Sequence, residues 1–387
     1  MSNRPNRRLR LGMVGGGNDA FIGAVHRLAA RIDDRYEFVA GALSSTPDKA
    51  IESGHALGLA EDRIYPDYQT MARSEAARPD GIDVVSIVTP NHVHHGPAAA
   101  FLAAGIHVIC DKPMTTTVAD ALDLVRRVKE SGLVFGLTHN YTGYPLVRQA
   151  REMVAAGELG EIRVIQAEYA QGWLATKLED TGMKQASWRT DPARSGAGGC
   201  IGDIGTHAYN LACFVTGQDA ESLSAQLTAF VPGRKLDDDA QIMLRYASGA
   251  RGMLWSSQVA VAEENGLTLR VYGTKGGLKW RQEVPNEMVF MPLGGRPQIV
   301  TRGGAGLGDA AGHSTRVPPG HPEGYQEAFA TLYRDIADRI HAHLGGWEAP
   351  AHTALVPTVE DGAKGVKFIE AAVASSNANA AWTSLAF

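Results

Sequence analysis

Apolar and polar positions divide this chain into two regimes. Short, nearly continuous apolar runs come first, at Leu9 to Val14, Tyr36 to Leu43, Asp83 to Thr89, Ile106 to Cys110 and 133–138. Unbroken runs of that length suit strands buried on both faces. Stretches of helical period lie between them, the clearest being Ala20, Ile22, Ala24, Val25, Leu28, Ala29 and Ile32. Strands alternating with helices predict a doubly wound parallel sheet over 1–140. After a helix at 144–156 the rhythm changes to strands at 161–171, 222–231, 239–247, 250–259 and 266–273. Turn signals such as Ala247-Ser248-Gly249 join several of them, as antiparallel neighbours require. The second domain, 141–387, is therefore expected to be a large, open, mainly antiparallel sheet. Helices near 203–216 and 323–343 are expected to cover one face, with a further helix at 359–375. The fold class is α/β followed by α+β.

Composition adds limits more than directions. A chain of 387 residues suits two domains, and 44% hydrophobic with 20% charged residues is ordinary for a soluble protein. A net charge of −5 offers no reason to expect nucleic acid or an anionic membrane as partner. No apolar run reaches the length of about 18 residues that a membrane span needs, and the basic start has no apolar signal core. Cys110, Cys200 and Cys213 are far apart and without metal-ligand spacing, which fits a reducing cytoplasm.

Candidate chemistry gathers where runs end. The first run breaks at Gly15-Gly16-Gly17 and a helix follows, the context in which glycines admit a pyrophosphate to helix amides. Gly15, Gly17 and Ala20 satisfy G-x-G-x-x-A, and a second phasing ends at Ile22-Gly23-x-x-His26. The second run ends in Ser44-Ser45-Thr46, without the carboxylate that would bind the ribose of NAD and without an Arg for a 2′-phosphate. NAD and NADP both stay open, with a tilt to NADP. The third run stops at Thr89-Pro90-Asn91-His92-Val93-His94-His95; three close histidines invite a zinc reading but lack a Cys or carboxylate set. The fourth ends in Asp111-Lys112-Pro113, with a Lys where α/β folds bind ligands. Far downstream, Gly198-Gly199 leads to Asp203 and His207, four apart and so on one face of a helix. An imidazole beside a carboxylate suits proton transfer near neutrality. A capping Asp with a neighbouring core His is the plainer reading of the same two residues.

Together these pieces resemble the glucose–fructose oxidoreductase, inositol dehydrogenase and MocA-like (Gfo/Idh/MocA) family over essentially the whole chain. The resemblance rests on the glycine turn with Ile22-Gly23 and His26, Thr89-Pro90-Asn91-His92 with His94, Asp111-Lys112-Pro113 in place of the usual Glu-Lys-Pro, and Asp203-x-Gly205-x-His207. It implies a Rossmann domain holding NAD or NADP through Gly15, Gly17, Ala20, Ile22, Ser44, Thr89, Pro90, Asn91, His94, Asp111 and Lys112. It also implies oxidation of a secondary alcohol of a polyol or sugar. His207 would be the base, Lys112 would polarise the oxygen, and Asp203 would hold a substrate hydroxyl or the ring. Tyr141, Trp188, Arg189 and His321 are the further substrate residues it points to, although the loop His139 to Tyr144 lacks the family's frequent Arg. A homodimer or homotetramer packed through the second sheet is implied as well. Two other functions suit the same pieces: an NAD-dependent glycosidase and a dinucleotide-binding sensor without turnover.

Overall fold

The computed structural model describes residues 7–18 and 20–387. The first five apolar runs become β1 (Leu9–Gly15), β2 (Tyr36–Ala42), β3 (Val84–Val88), β4 (His107–Cys110) and β5 (Phe135–Leu137). They pair in parallel, in the order β2-β1-β3-β4-β5. Every residue of β3 and β4 is buried, which is why those runs show no apolar–polar alternation. The order changes direction at β1 and β3, and doubly wound sheets open a crevice at that point, beyond the carboxyl ends of the strands. Loops leaving those ends carry the glycine turn, Thr89 to His94, Asp111-Lys112-Pro113 and His139 to Tyr141. Sheet topology thus gathers the first group of candidates on one edge.

Contacts cluster the chain into two compact units. The first comprises the described residues up to Thr115 together with Ala119–Gly143 and Tyr325–Ala363; the second comprises Thr116–Val118, Tyr144–Gly324 and Lys364–Phe387. The late helix, Tyr325–Gly345, was expected to cover the second sheet and instead belongs to the first unit. Its stripe Phe329, Tyr333, Ile336 and Ile340 is buried in one cluster with Leu9, Leu11, Val25, Val84 and Ile109. Helical period reveals that such a stripe exists, but either sheet could have received it.

The histidines that the first unit encloses include His26, His107 and His139. Burial drives the pKa of His26 and of His107 down to about 4, and that of His139 to about 3. The neutral form of His107 is further used, since its Nδ1 accepts the Val134 N–H at 3.0 Å. In an unfolded chain each would titrate near 6.5. Between about 6.5 and about 4 the unfolded chain therefore binds protons that the folded unit refuses, so stability falls as pH drops through that window. The expected loss is up to about 3 kcal/mol per histidine. Thermal melts of the protein from neutral pH to pH ~4.5 should show the midpoint descending; a flat midpoint would refute it.

In the second unit, β6 (Ile162–Ala170), β7 (Ala220–Thr228), β8 (Asp239–Tyr246), β9 (Arg251–Ser257) and β10 (Gly266–Gly273) match the expected strands closely. Four more join them: β11 (Gly276–Arg281), β12 (Glu287–Pro292), β13 (Gln298–Thr301) and β14 (Thr383–Ser384). The sheet runs β13-β12-β11-β10-β6-β9-β8-β7-β14, antiparallel except for the β6–β9 pair. Alternation along β8 is strict, with Ala240, Ile242, Leu244 and Tyr246 buried and Gln241, Met243 and Arg245 exposed. The helix Thr206–Thr216 packs on β6 and β10, which places its N-terminal end beside the sheet. No described helix is long and apolar enough to cross a membrane.

Candidate active site

The candidates divide between the two units. In the first, β1 ends at Gly15 and Gly16, with φ of +78° and +72°, a region that side chains rarely enter. The helix Phe21–Ile32 then starts with no side-chain cap and no acidic residue in its first turn. Its leading amides, at Phe21, Ile22 and Gly23, lack intrahelical acceptors and face the end where a phosphate is favoured. Gly23 lies so close to Gly16 that a Cβ there would land on the Gly16 backbone, which is the helix-to-strand contact of a dinucleotide fold. The second phasing is the one this geometry matches. Gly17 is used differently. Its N–H donates to the Leu43 carbonyl at 3.2 Å, and a Cβ would come within 2.6 Å of Ser53 Oγ. It is packed against protein, so Gly17→Val disturbs the fold and cannot isolate cofactor binding. Ala20 ends the turn by donating its N–H to the Gly17 carbonyl, and the Ile22 side chain packs into the core. The uncapped amides and the glycine approach fit a nicotinamide dinucleotide.

Around this turn the other candidates are held by the protein itself. Ser44 Oγ accepts the Thr46 N–H at 3.1 Å, ahead of the helix Pro47–Ala56. The Thr89 hydroxyl is buried without a hydrogen-bond partner, Pro90 leads into a short turn, and Asn91 is buried. His94 was expected to touch cofactor, yet its two ring nitrogens each sit 2.8 Å from a backbone carbonyl, of Pro113 and of Thr89. The ring thus bridges two loops, and burial lowers its pKa. Asp111 Oδ1 accepts the Lys112 N–H (2.9 Å) and the Thr138 hydroxyl (2.8 Å). The shorter acid thereby fixes the backbone from which Lys112 extends. The Lys112–Pro113 peptide is cis. Tyr141 is buried in the short helical turn Asn140–Gly143. Beside it His139 is held neutral, first by burial and then by the Lys112 cation.

In the second unit, Asp203 lies in a π-helical turn, Ile201–Gly205, and His207 in the first turn of the α-helix that follows. Gly205 lets that turn lie on β9, because a Cβ would come within 2.9 Å of Ser256 Oγ. Asp203 is not a cap. Its Oδ2 accepts from Arg189 Nε at 3.1 Å and Gln258 Nε2 at 2.8 Å. The cap is instead Asp237, whose carboxylate accepts the Gly199 and Ile201 amides at 2.7 and 2.8 Å. Burial nevertheless pushes the Asp237 pKa up to about 6. Arg189 is gripped on several sides: Nη1 donates to Gln185 Oε1 at 2.6 Å, and the guanidinium stacks 4.3 Å over the Trp188 ring. His207 is buried, with its ring 6.2 Å from that of Tyr169, whose hydroxyl donates to Asn265. The Arg189 cation and the Asp203 anion offset each other, so this pair adds no net charge.

Comparison with known proteins agrees in both halves. Residues 9–139 match the oxidoreductase family with an NAD-binding Rossmann fold, and residues 147–279 match the GFO/IDH/MocA C-terminal domain. The chain belongs to the Gfo/Idh/MocA oxidoreductase family. The crystal structure of an oxidoreductase from Sinorhizobium meliloti is 52% identical, with a TM-score of 0.89 over 97% of this chain and 99% of that one. An inositol dehydrogenase homolog from Azotobacter vinelandii, complexed with NADH and myo-inositol, is 36% identical with a TM-score of 0.91 over 98% of both chains. Levoglucosan dehydrogenase of Pseudarthrobacter phenanthrenivorans is 28% identical over 73% of this chain and 76% of its own length. This Gfo/Idh/MocA member is thus an NAD-binding oxidoreductase with relatives that act on sugars and polyols.

Several features of this Gfo/Idh/MocA chain escaped sequence reasoning. Nothing near Asp203 announces Gln258 or Asp237, because both lie far along the chain, Asp237 just before β8 and Gln258 just after β9. Conversely, the three histidines at 92–95 separate: His92 is exposed, His94 meets carbonyls, and His95 Nε2 lies 2.9 Å from Asp123. His321 is exposed, and what the loop uses is its carbonyl, which accepts from the buried Arg302.

Proposed function

We propose that this oxidoreductase reversibly oxidises a secondary alcohol of a cyclic polyol or sugar, of the inositol, aldose or glycoside type. The observation that carries the reading is Asp203, charge-paired by Arg189 and hydrogen-bonded by Gln258, one turn before a buried His207. His207 takes the hydroxyl proton, and Lys112 donates to the oxygen as negative charge develops on it. Bound nicotinamide supplies the hydride acceptor, so the alcohol carbon loses a hydride and leaves as a carbonyl. Tyr141, Trp188 and, from its exposed loop, His321 contact substrate, while Arg189 acts through Asp203. The Ser44 hydroxyl already accepts an N–H of its own turn and no carboxylate stands beside it, so both NAD and NADP are admitted. The test is a panel of inositols, aldoses and glycosides with each oxidised cofactor, followed by the absorbance of reduced nicotinamide. Hydrolysis of an aryl glycoside without net reduction would replace this reading with the glycosidase, and binding without any turnover would replace it with the sensor.

Assembly belongs to the same proposal. The uncovered face of the second sheet carries Met243, Met253, Tyr272, Val289, Met291 and Ile299, all exposed, with Met243 and Met253 directly paired across β8 and β9. That many exposed apolar side chains on one face, set among Gln241, Arg245 and Glu287, favour burial against a second copy, as a dimer or tetramer in the cytoplasm. Light scattering should read a multiple of 41.2 kDa, and introducing Glu at Met243 and Met253 should reduce it to the monomer. A monomeric wild type would remove the proposal.

A further inference from the structure

Asp237 makes three bonds to three consecutive residues at the start of the turn that carries Asp203. Its Oδ1 accepts the Gly199 N–H at 2.7 Å, its main-chain carbonyl accepts the Cys200 N–H at 2.8 Å, and its Oδ2 accepts the Ile201 N–H at 2.8 Å. Amides at the head of a helical segment have no acceptor within it, and here one residue from far along the chain supplies all three. Gly199 is required for the approach, because a Cβ would meet the Asp237 carbonyl and come within 2.8 Å of Leu236 Cβ. The next residue continues the pattern: the Asp238 carbonyl accepts the Gln258 N–H at 2.8 Å, and Gln258 in turn donates to Asp203. Asp238 also accepts from Arg234 at 3.1 Å, and Arg234 holds the carbonyls of Leu174 and Thr176 and the Glu179 carboxylate. Two adjacent residues thus hold the backbone that leads into Asp203, the main chain of the Gln258 that bonds Asp203, and a loop of the same unit.

We propose that Asp237 is a positioning residue for the reaction: it sets the π-helical turn so that Asp203 and His207 face the substrate in productive geometry, while never touching substrate itself. This rests on the alcohol-oxidation reading above. The two oxygens have separate amides, which is why a carboxylate is needed. An Asn would turn its NH2 toward one of those donors and leave that amide unpaired.

Asp237→Asn should lower kcat about 10–100-fold, as a small misplacement of catalytic groups does. KM for NAD+ and dinucleotide affinity should stay near wild type, the thermal midpoint should fall because one buried amide loses its acceptor, and amide hydrogen exchange should speed up at Gly199 to Ile201 only. A kcat within twofold of wild type overturns the proposal, and so does an equal loss of kcat and dinucleotide affinity, which marks a general support of the fold. Should the Asn variant not fold, Asp237→Glu keeps both acceptors on a longer stem and carries the same two criteria. The two readings fail separately: a wild type inactive on every polyol sinks the alcohol oxidation, whereas an active wild type matched by Asp237→Asn sinks only the positioning.

Discussion

His207→Ala loses most of the turnover, by about 10²–10⁴-fold, and still binds nicotinamide dinucleotide as the wild type does. The first half follows from the base role: without the imidazole the hydroxyl proton has no acceptor, and the carbonyl cannot form without a high-energy cation. The second half follows from where the cofactor groups lie. The uncapped amides of the helix Phe21–Ile32 and the Gly15-Gly16 turn belong to the first unit, and His207 belongs to the second. Pre-steady-state turnover on the best polyol of the panel, beside a dinucleotide titration, measures both. Near-wild-type turnover would return His207 to a core histidine packed near Tyr169 and pass the base role to Lys112 or Tyr141.

Lys112→Met should cost about 10²–10³-fold in kcat, the scale of removing one donor aimed at developing negative charge. Met keeps the length and apolar stem and removes the ammonium. The backbone beneath it is held independently, because Asp111 Oδ1 accepts the Lys112 N–H and the Thr138 hydroxyl, and neither bond uses the side chain. A second readout reports the charge directly. His139 is kept neutral by burial and, next, by the Lys112 cation, so its pKa should rise from about 3 in the Met variant. NMR titration of that ring reads the shift. Unchanged turnover together with a shifted His139 would show that Lys112 is cationic and near His139 yet idle in the reaction.

Legibility varied by feature. The five parallel strands were readable because burial on both faces leaves continuous apolar runs. The glycine turn was readable as a turn, but its phasing was not. Gly15, Gly17 and Gly23 look alike in sequence; only β2 and the helix Pro47–Ala56, arriving from beyond it, make Gly17 a packing residue. Strands β11 to β13 were missed because each is short and is held by the strand before it, β11 by β10, β12 by β11 and β13 by β12. For the loop residues Ser44 and His94, read as cofactor residues from the sequence, motif did not show that their polar atoms also meet backbone groups a few to many positions away.

By itself the sequence determined what depends on neighbours along the chain. That comprises the alternation of runs and helices, the strand–glycine–helix unit, the acid and base four apart at Asp203 and His207, and a Lys at a strand end. Tertiary structure decided what depends on partners distant in sequence: which sheet receives the stripe of Tyr325–Gly345, and that Arg189, Gln258 and Asp237 converge on the Asp203 turn. The physical reason is that periodicity and backbone propensity act over a few residues. A carboxylate's choice of partner, in contrast, is settled by whichever donors the completed sheet brings within about 3 Å of it.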